Sequence, residues 1–131
     1  MNSRPLAFRL LQVLVVVFGF VPVLAGLAGI VLGPSMAGLP ASGAPLALDS
    51  HVRYLSGLLL AIGIGFWSTV PRIERQAVRF RLLTAIVVIG GLGRLIGLLT
   101  IGVPPPSMLL GLAMELVVTP GLCWWQYRIA E

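Results

Sequence analysis

From Leu10 to Leu32 the chain carries no charge, and Gln12 alone interrupts an otherwise apolar run. An apolar stretch of about 20 residues is what a helix needs to cross the hydrocarbon core of a bilayer. A secretory signal has a shorter apolar region, of roughly 7 to 15 residues. The run therefore reads as a transmembrane helix over about residues 5–32, with Pro22 as an expected kink. Ala25, Gly29 and Gly33 recur at a spacing of four, which would let a neighbouring helix approach closely.

Three more segments follow the same pattern, and they predict helices over about residues 50–69, 78–101 and 107–126. Only 10% of the 131 residues are charged, and the mean hydropathy is +1.04. A soluble domain of this size would need more polar surface, so the chain reads as one all-α integral membrane domain over 1–131, a four-helix bundle. Between the first two helices, residues 33–48 are rich in Gly, Pro, Ala and Ser, with Asp49 and Ser50 as candidate N-caps. In the second helix Gly57, Ala61 and Gly65 suggest a small-residue face, and Phe66 and Trp67 an interfacial position. Pro120 is a second expected kink, and Trp124, Trp125 and Tyr127 form an expected aromatic belt.

Orientation follows from the arginines. Arg4, Arg9, Arg72, Arg75, Arg79, Arg81 and Arg128 fall on one side of the spans, and the two opposite loops have none. The excess of positive charge on cytoplasmic loops then places both termini in the cytoplasm. Arg72, Arg75, Arg79 and Arg81 are topology signals first and contacts for anionic lipid second. The net charge of +5 is accounted for in this way and implies no nucleic-acid partner. A single histidine and a single cysteine, Cys123, exclude a metal cluster built on those residue types. Cys123 reads as packing. No cofactor and no catalytic residue is expected.

Two charges lie inside apolar helices. Arg94 and Glu115 are symmetric about the GVPPPS turn, so an antiparallel hairpin would place them at one depth, ~12 Å from the outer helix ends. An unpaired charge at the centre of a span costs about 2.5–3.5 kcal/mol. A guanidinium can hold a carboxylate through two parallel hydrogen bonds, so the two are expected to pair. Gly90, Gly91, Gly97 and Gly111 would leave the helices slender around the pair. Asp49, His51, Arg53 and Tyr54, at the start of the second helix, would add to the same polar cluster, Asp49 pairing with Arg53 four residues on. Two readings stand for Arg94 and Glu115: a clamp that sets helix register, or a ligand site. His51 reads as a cap or interfacial side chain, or as a proton relay.

DSHVRYLSG, PRIER, GGLGRL, GVP, MELVVTPGL and WWQYR together resemble a family of short bacterial four-helix membrane proteins designated only as a domain of unknown function. In layout that family is similar to the DoxX-like membrane proteins. The resemblance runs over nearly the whole chain. Its marked positions correspond to Asp49, His51, Arg53, Tyr54, Gly57, Glu74, Arg75, Gly91, Arg94, Gly102, Pro104, Glu115 and Pro120. Gly97 departs from it, standing where the family commonly has serine. The resemblance implies the four-span topology and the arginine–glutamate constellation, and it carries no activity.

The function expected is that of a small, non-catalytic binding or accessory protein of the bacterial inner membrane. It would hold a lipid or other amphiphile, or dock on a larger membrane complex or on its own copies. The alternative is a small proton-coupled or solute transporter using Arg94, Glu115 and His51 as an oligomer. A membrane enzyme ranks last.

Overall fold

The computed structural model describes residues 3–40 and 42–131, and among them the regular structure is helical, with no strands. Helix α1 spans Arg4–Leu32 and runs into a 3₁₀ turn at Gly33–Ala37. Helix α2 spans Leu46–Thr69, followed by a 3₁₀ turn at Val70–Arg75. Helix α3 spans Ala77–Thr100. The last span is built in pieces: α4 at Pro106–Ala113, a π turn at Met114–Val118, and α5 at Thr119–Ala130. Among the described residues, four stretches are long and apolar enough to cross a membrane: Arg4–Ala37, Leu46–Arg75, Ala77–Thr100 and Pro106–Ala130.

The chain divides into two compact units, Leu14–Ser68 and Met1–Val13 with Thr69–Glu131. The first is an antiparallel hairpin of α1 on α2. Its register is legible in three contacts: Gly19 against Trp67, Val23 against Gly63, and Gly26 against Leu60, each symmetric in number about Gly43 in the loop. The approach is closest at Gly26, where a Cβ would fall 2.6 Å from the Leu60 nitrogen. Only glycine allows two backbones so near, and dispersion between them replaces the hydrophobic drive that lipid does not supply.

Buried positions on α1 (Leu11, Val15, Gly19, Val23, Gly26 and Gly29) recur every three or four residues, the signature of one helix face. The small-residue face expected of α2 lies elsewhere. Gly57 has open space beside it and Ala61 is exposed, whereas Ser56 and Gly63 are the buried small residues. A spacing of four drifts around a helix of 3.6 residues per turn, so spacing alone does not select the packed side.

One other expectation changes, and two gain structural detail. Helix α2 begins at Leu46, so Asp49 and Ser50 lie inside its first turns and do not cap it. Phe66 is 8% exposed, and Trp67 packs edge-on against Phe20, its Nε1–H donating to the Val16 carbonyl at 3.1 Å. The Trp67 ring thereby ties α2 to α1. Just ahead of Pro120, itself in α5, the structure shows the π turn Met114–Val118. Proline brings no N–H and its ring crowds the carbonyl four residues back. The Thr119 N–H instead reaches Met114, five back, and the Thr119 hydroxyl donates to the same carbonyl at 2.7 Å.

In the second unit α3 packs antiparallel to the α4–α5 span across the turn that contains Gly102, Pro104 and Pro105. Phe80, Thr84 and Gly91 are the buried positions of α3.

Candidate functional site

Arg94 sits in α3, two turns before its end, and Glu115 is the second residue of the π turn. The two meet through paired bonds: Arg94 Nε donates to Glu115 Oε2 at 3.1 Å and Nη2 to Oε1 at 3.2 Å. This is the forked geometry that a planar guanidinium offers a carboxylate and a lysine cannot. The symmetry of the two residue numbers about the proline turn therefore translates into contact.

Packing explains why the fork closes. Gly91, one turn before Arg94, is buried against Leu116 and the Glu115 Cβ, which would lie 2.8 and 2.9 Å from a Cβ placed there. The absent side chain lets the π turn settle onto α3. Gly111, one turn before Glu115, faces the pair from the other side. A Cβ there would meet only Arg94 Cζ at 3.9 Å and Glu115 Oε1 at 4.0 Å. Gly90 and Gly97 have open space beside them and take no part in this packing.

The pair is closed on one edge and open on another. The Arg94 side chain keeps 36% of its exposure and that of Glu115 keeps 18%. Arg94 spends Nε and Nη2 on the carboxylate. Its Nη1 group and the second N–H of Nη2 have no acceptor among the described residues, so three N–H donors remain available. Each carboxylate oxygen likewise retains a free lone pair. The arrangement can hold a polar or anionic group beside an ion pair that is already neutral overall. Among the described residues, no group of three or more His, Cys, Asp or Glu converges on a metal-sized site.

The second set of expected residues belongs to the other unit. Asp49 and Arg53 pair along α2, Arg53 Nε donating to Asp49 Oδ2 at 2.9 Å. Arg53 then turns to α1, where its Nη1 donates to the carbonyls of Ile30 and Val31. Those carbonyls lie in the last turn of α1, where helical partners run out and a cation is favoured by the helix dipole. Gly33, in a left-handed conformation at φ +59°, ends α1 directly beneath this ion pair. Arg53 therefore fastens the top of the first hairpin through Nε and Nη1, and its Nη2 has no acceptor among the described residues. His51 and Tyr54 are exposed on α2 and make no side-chain hydrogen bond among the described residues.

Two residues outside the expected sites hold the connector between α2 and α3. The Gln12 amide donates to the Val70 carbonyl at 2.6 Å, and the fully buried Gln126 amide donates to the Ile73 carbonyl at 2.9 Å. The available signal is that each is an uncharged polar residue interrupting an apolar segment, near the arginine-rich end. Arg72 and Arg75 lie in this connector, Arg79 and Arg81 in the first turns of α3. Arg81 rests over the Tyr127 ring, 5.2 Å from its centroid.

No curated protein and no solved structure matches the chain. Residues 10–126 match a protein-family model described as Domain of unknown function (DUF4345), and with the bidentate Arg94–Glu115 pair and its glycine seat inside that span, the chain belongs to this family.

Proposed function

We propose that the chain is a non-catalytic binding protein of the bacterial inner membrane, with both termini in the cytoplasm. On this reading the Arg94–Glu115 pair lies in the outer half of the bilayer and receives the polar group of a lipid or other amphiphile. Arg94 precedes the end of α3 by six residues and Glu115 follows the start of α4 by nine, which corresponds to about 9–14 Å of helix. The carrying observation is the unfilled hydrogen-bonding capacity of a paired arginine. The Nη1 edge of Arg94 is open, and Gly111 adds no bulk beside it. In a medium without water, open donors favour a ligand that supplies acceptors.

Native mass spectrometry of protein gently extracted from its own membrane tests this reading. The comparison is Arg94→Lys, which keeps the charge and loses the fork. A defined lipid or small molecule carried by wild type and lost from the variant supports the site. Bare protein in both forms, or both forms bound to the same polypeptides, refutes it and makes the pair structural.

The broken last span favours one second reading, a small transporter acting as an oligomer, because discontinuous helices often place ion sites at membrane depth. Solute or proton flux in proteoliposomes that disappears with Glu115→Gln would select it.

A further inference from the structure

The charge of the molecule is distributed unevenly. Asp49 neutralises Arg53 and Glu115 neutralises Arg94. The seven remaining arginines less Glu74 and Glu131 account for the whole net charge of +5. All nine of those residues belong to the unit formed by Met1–Val13 and Thr69–Glu131. The two glutamine contacts gather the segments that carry them. Gln12 ties the first turns of α1 to the connector at Val70, and Gln126 ties the last turns of α5 to the connector at Ile73.

Within this basic end one pair of arginines is held in a particular way. Arg81 lies over Tyr127, and Arg128 lies over Trp124 with its Cζ 5.8 Å from the ring centroid. Trp124, Tyr127 and Arg128 follow one another at helix spacings of three and four, so they share one face of α5. Trp124 and Tyr127 are exposed. The Tyr127 hydroxyl interacts with Glu131, the one carboxylate adjoining this face. Neither Arg81 nor Arg128 makes an ion pair or donates a hydrogen bond to an acceptor among the described residues. A cation–π contact steadies a guanidinium and leaves its N–H donors unspent. Two such guanidiniums beside amphipathic rings at the end of a membrane-length helix match a phosphodiester lying at a bilayer surface.

We propose that Arg81 and Arg128, positioned by Tyr127 and Trp124, form a headgroup site for an anionic phospholipid. The ligand chemistry is a singly charged phosphodiester with its acyl chains beside α5. The proposal is independent of the Arg94 reading, since it uses other residues and another part of the span.

The test uses full-length, delipidated protein in a neutral detergent. Phosphatidylglycerol, phosphatidylcholine and inorganic phosphate are titrated separately and read by native mass spectrometry. Wild type is expected to retain phosphatidylglycerol in preference to phosphatidylcholine. Arg81→Gln with Arg128→Gln is expected to weaken phosphatidylglycerol roughly thirtyfold, and Arg128→Gln alone, at an exposed helix end, about fivefold. Arg4→Gln with Arg9→Gln removes the same charge elsewhere and is expected to cost much less. Equal losses in the two double variants would reduce the effect to general electrostatics and overturn the site. Equal retention of the two lipids by wild type would overturn it as well. Binding of inorganic phosphate that displaces phosphatidylglycerol would make the ligand a soluble phosphate and overturn the lipid assignment. If the double variant fails to fold, an unchanged affinity in Arg128→Gln is sufficient to refute the proposal.

Discussion

Neighbouring glycines in α3 should respond in opposite ways to the same substitution. At Gly91 a new Cβ would lie 2.8 Å from Leu116 Cδ2 and 2.9 Å from Glu115 Cβ. Leu116 can rotate away, but the Glu115 Cβ moves only with its backbone. Ordinary contact begins near 3.4 Å, so the π turn must withdraw from α3 by about 0.5 Å. Overpacking of this kind costs about 1–3 kcal/mol. At Gly90 a new Cβ meets nothing within 4 Å. Both substitutions gain the same helix preference of alanine over glycine, about 0.5–1 kcal/mol. The difference between Gly91→Ala and Gly90→Ala is therefore the overpacking cost alone, about a 5- to 150-fold change in the unfolding equilibrium. Titration of dodecyl sulfate into mixed micelles, followed by tryptophan fluorescence, measures it. A Gly91→Ala protein as stable as Gly90→Ala would refute the packing described around Glu115.

The ion pair makes a second prediction. Arg94→Met and Glu115→Leu each leave a lone charge in an apolar span and should lose about 2.5–3.5 kcal/mol. The double variant should lose clearly less than their sum, and strict additivity in the same unfolding assay would show that the pair is not coupled. In the first hairpin, Gly26→Ala drives a Cβ toward the Leu60 backbone and should destabilise by about 1–3 kcal/mol, whereas Gly57→Ala, with open space beside it, should be neutral or stabilising in a thermal scan. Gln126→Leu removes the amide bond to the Ile73 carbonyl, which keeps the Gln76 N–H at 3.4 Å, and should cost about 0.5–1.5 kcal/mol. A stability equal to wild type would mean that the amide bond contributes nothing net.

Four arginines on apolar helices spend their donors to different degrees. Arg53 commits Nε and Nη1 to the Asp49 carboxylate and two α1 carbonyls and leaves Nη2 without an acceptor among the described residues. Arg94 is half consumed, and Arg81 and Arg128 are steadied by rings without spending an N–H. In a chain with so little polar surface, those unspent donors are what the two proposals rest on.

The helical class, the four membrane-length stretches and the approach of Arg94 to Glu115 were legible in the residues alone. Each depends on local rules: length and hydropathy set a span, prolines set a turn, and a turn sets which residues are equidistant from it. Tertiary structure decided what spacing could not. It chose Gly26 and Gly63 over Gly57 and Ala61 as the packed face, because many faces of an apolar helix are chemically alike and only the partner's shape distinguishes them. It turned Arg53 onto the carbonyls at the end of α1 and the Trp67 N–H onto the Val16 carbonyl, because both side chains are long enough to cross the hairpin. It placed a π turn at Glu115, because a proline five residues on removes a donor and the Thr119 hydroxyl supplies one to the displaced carbonyl. It brought Arg81 over the Tyr127 ring of α5, a meeting of residues 46 positions apart that no local pattern encodes, beside the helical i,i+4 contact of Arg128 with Trp124.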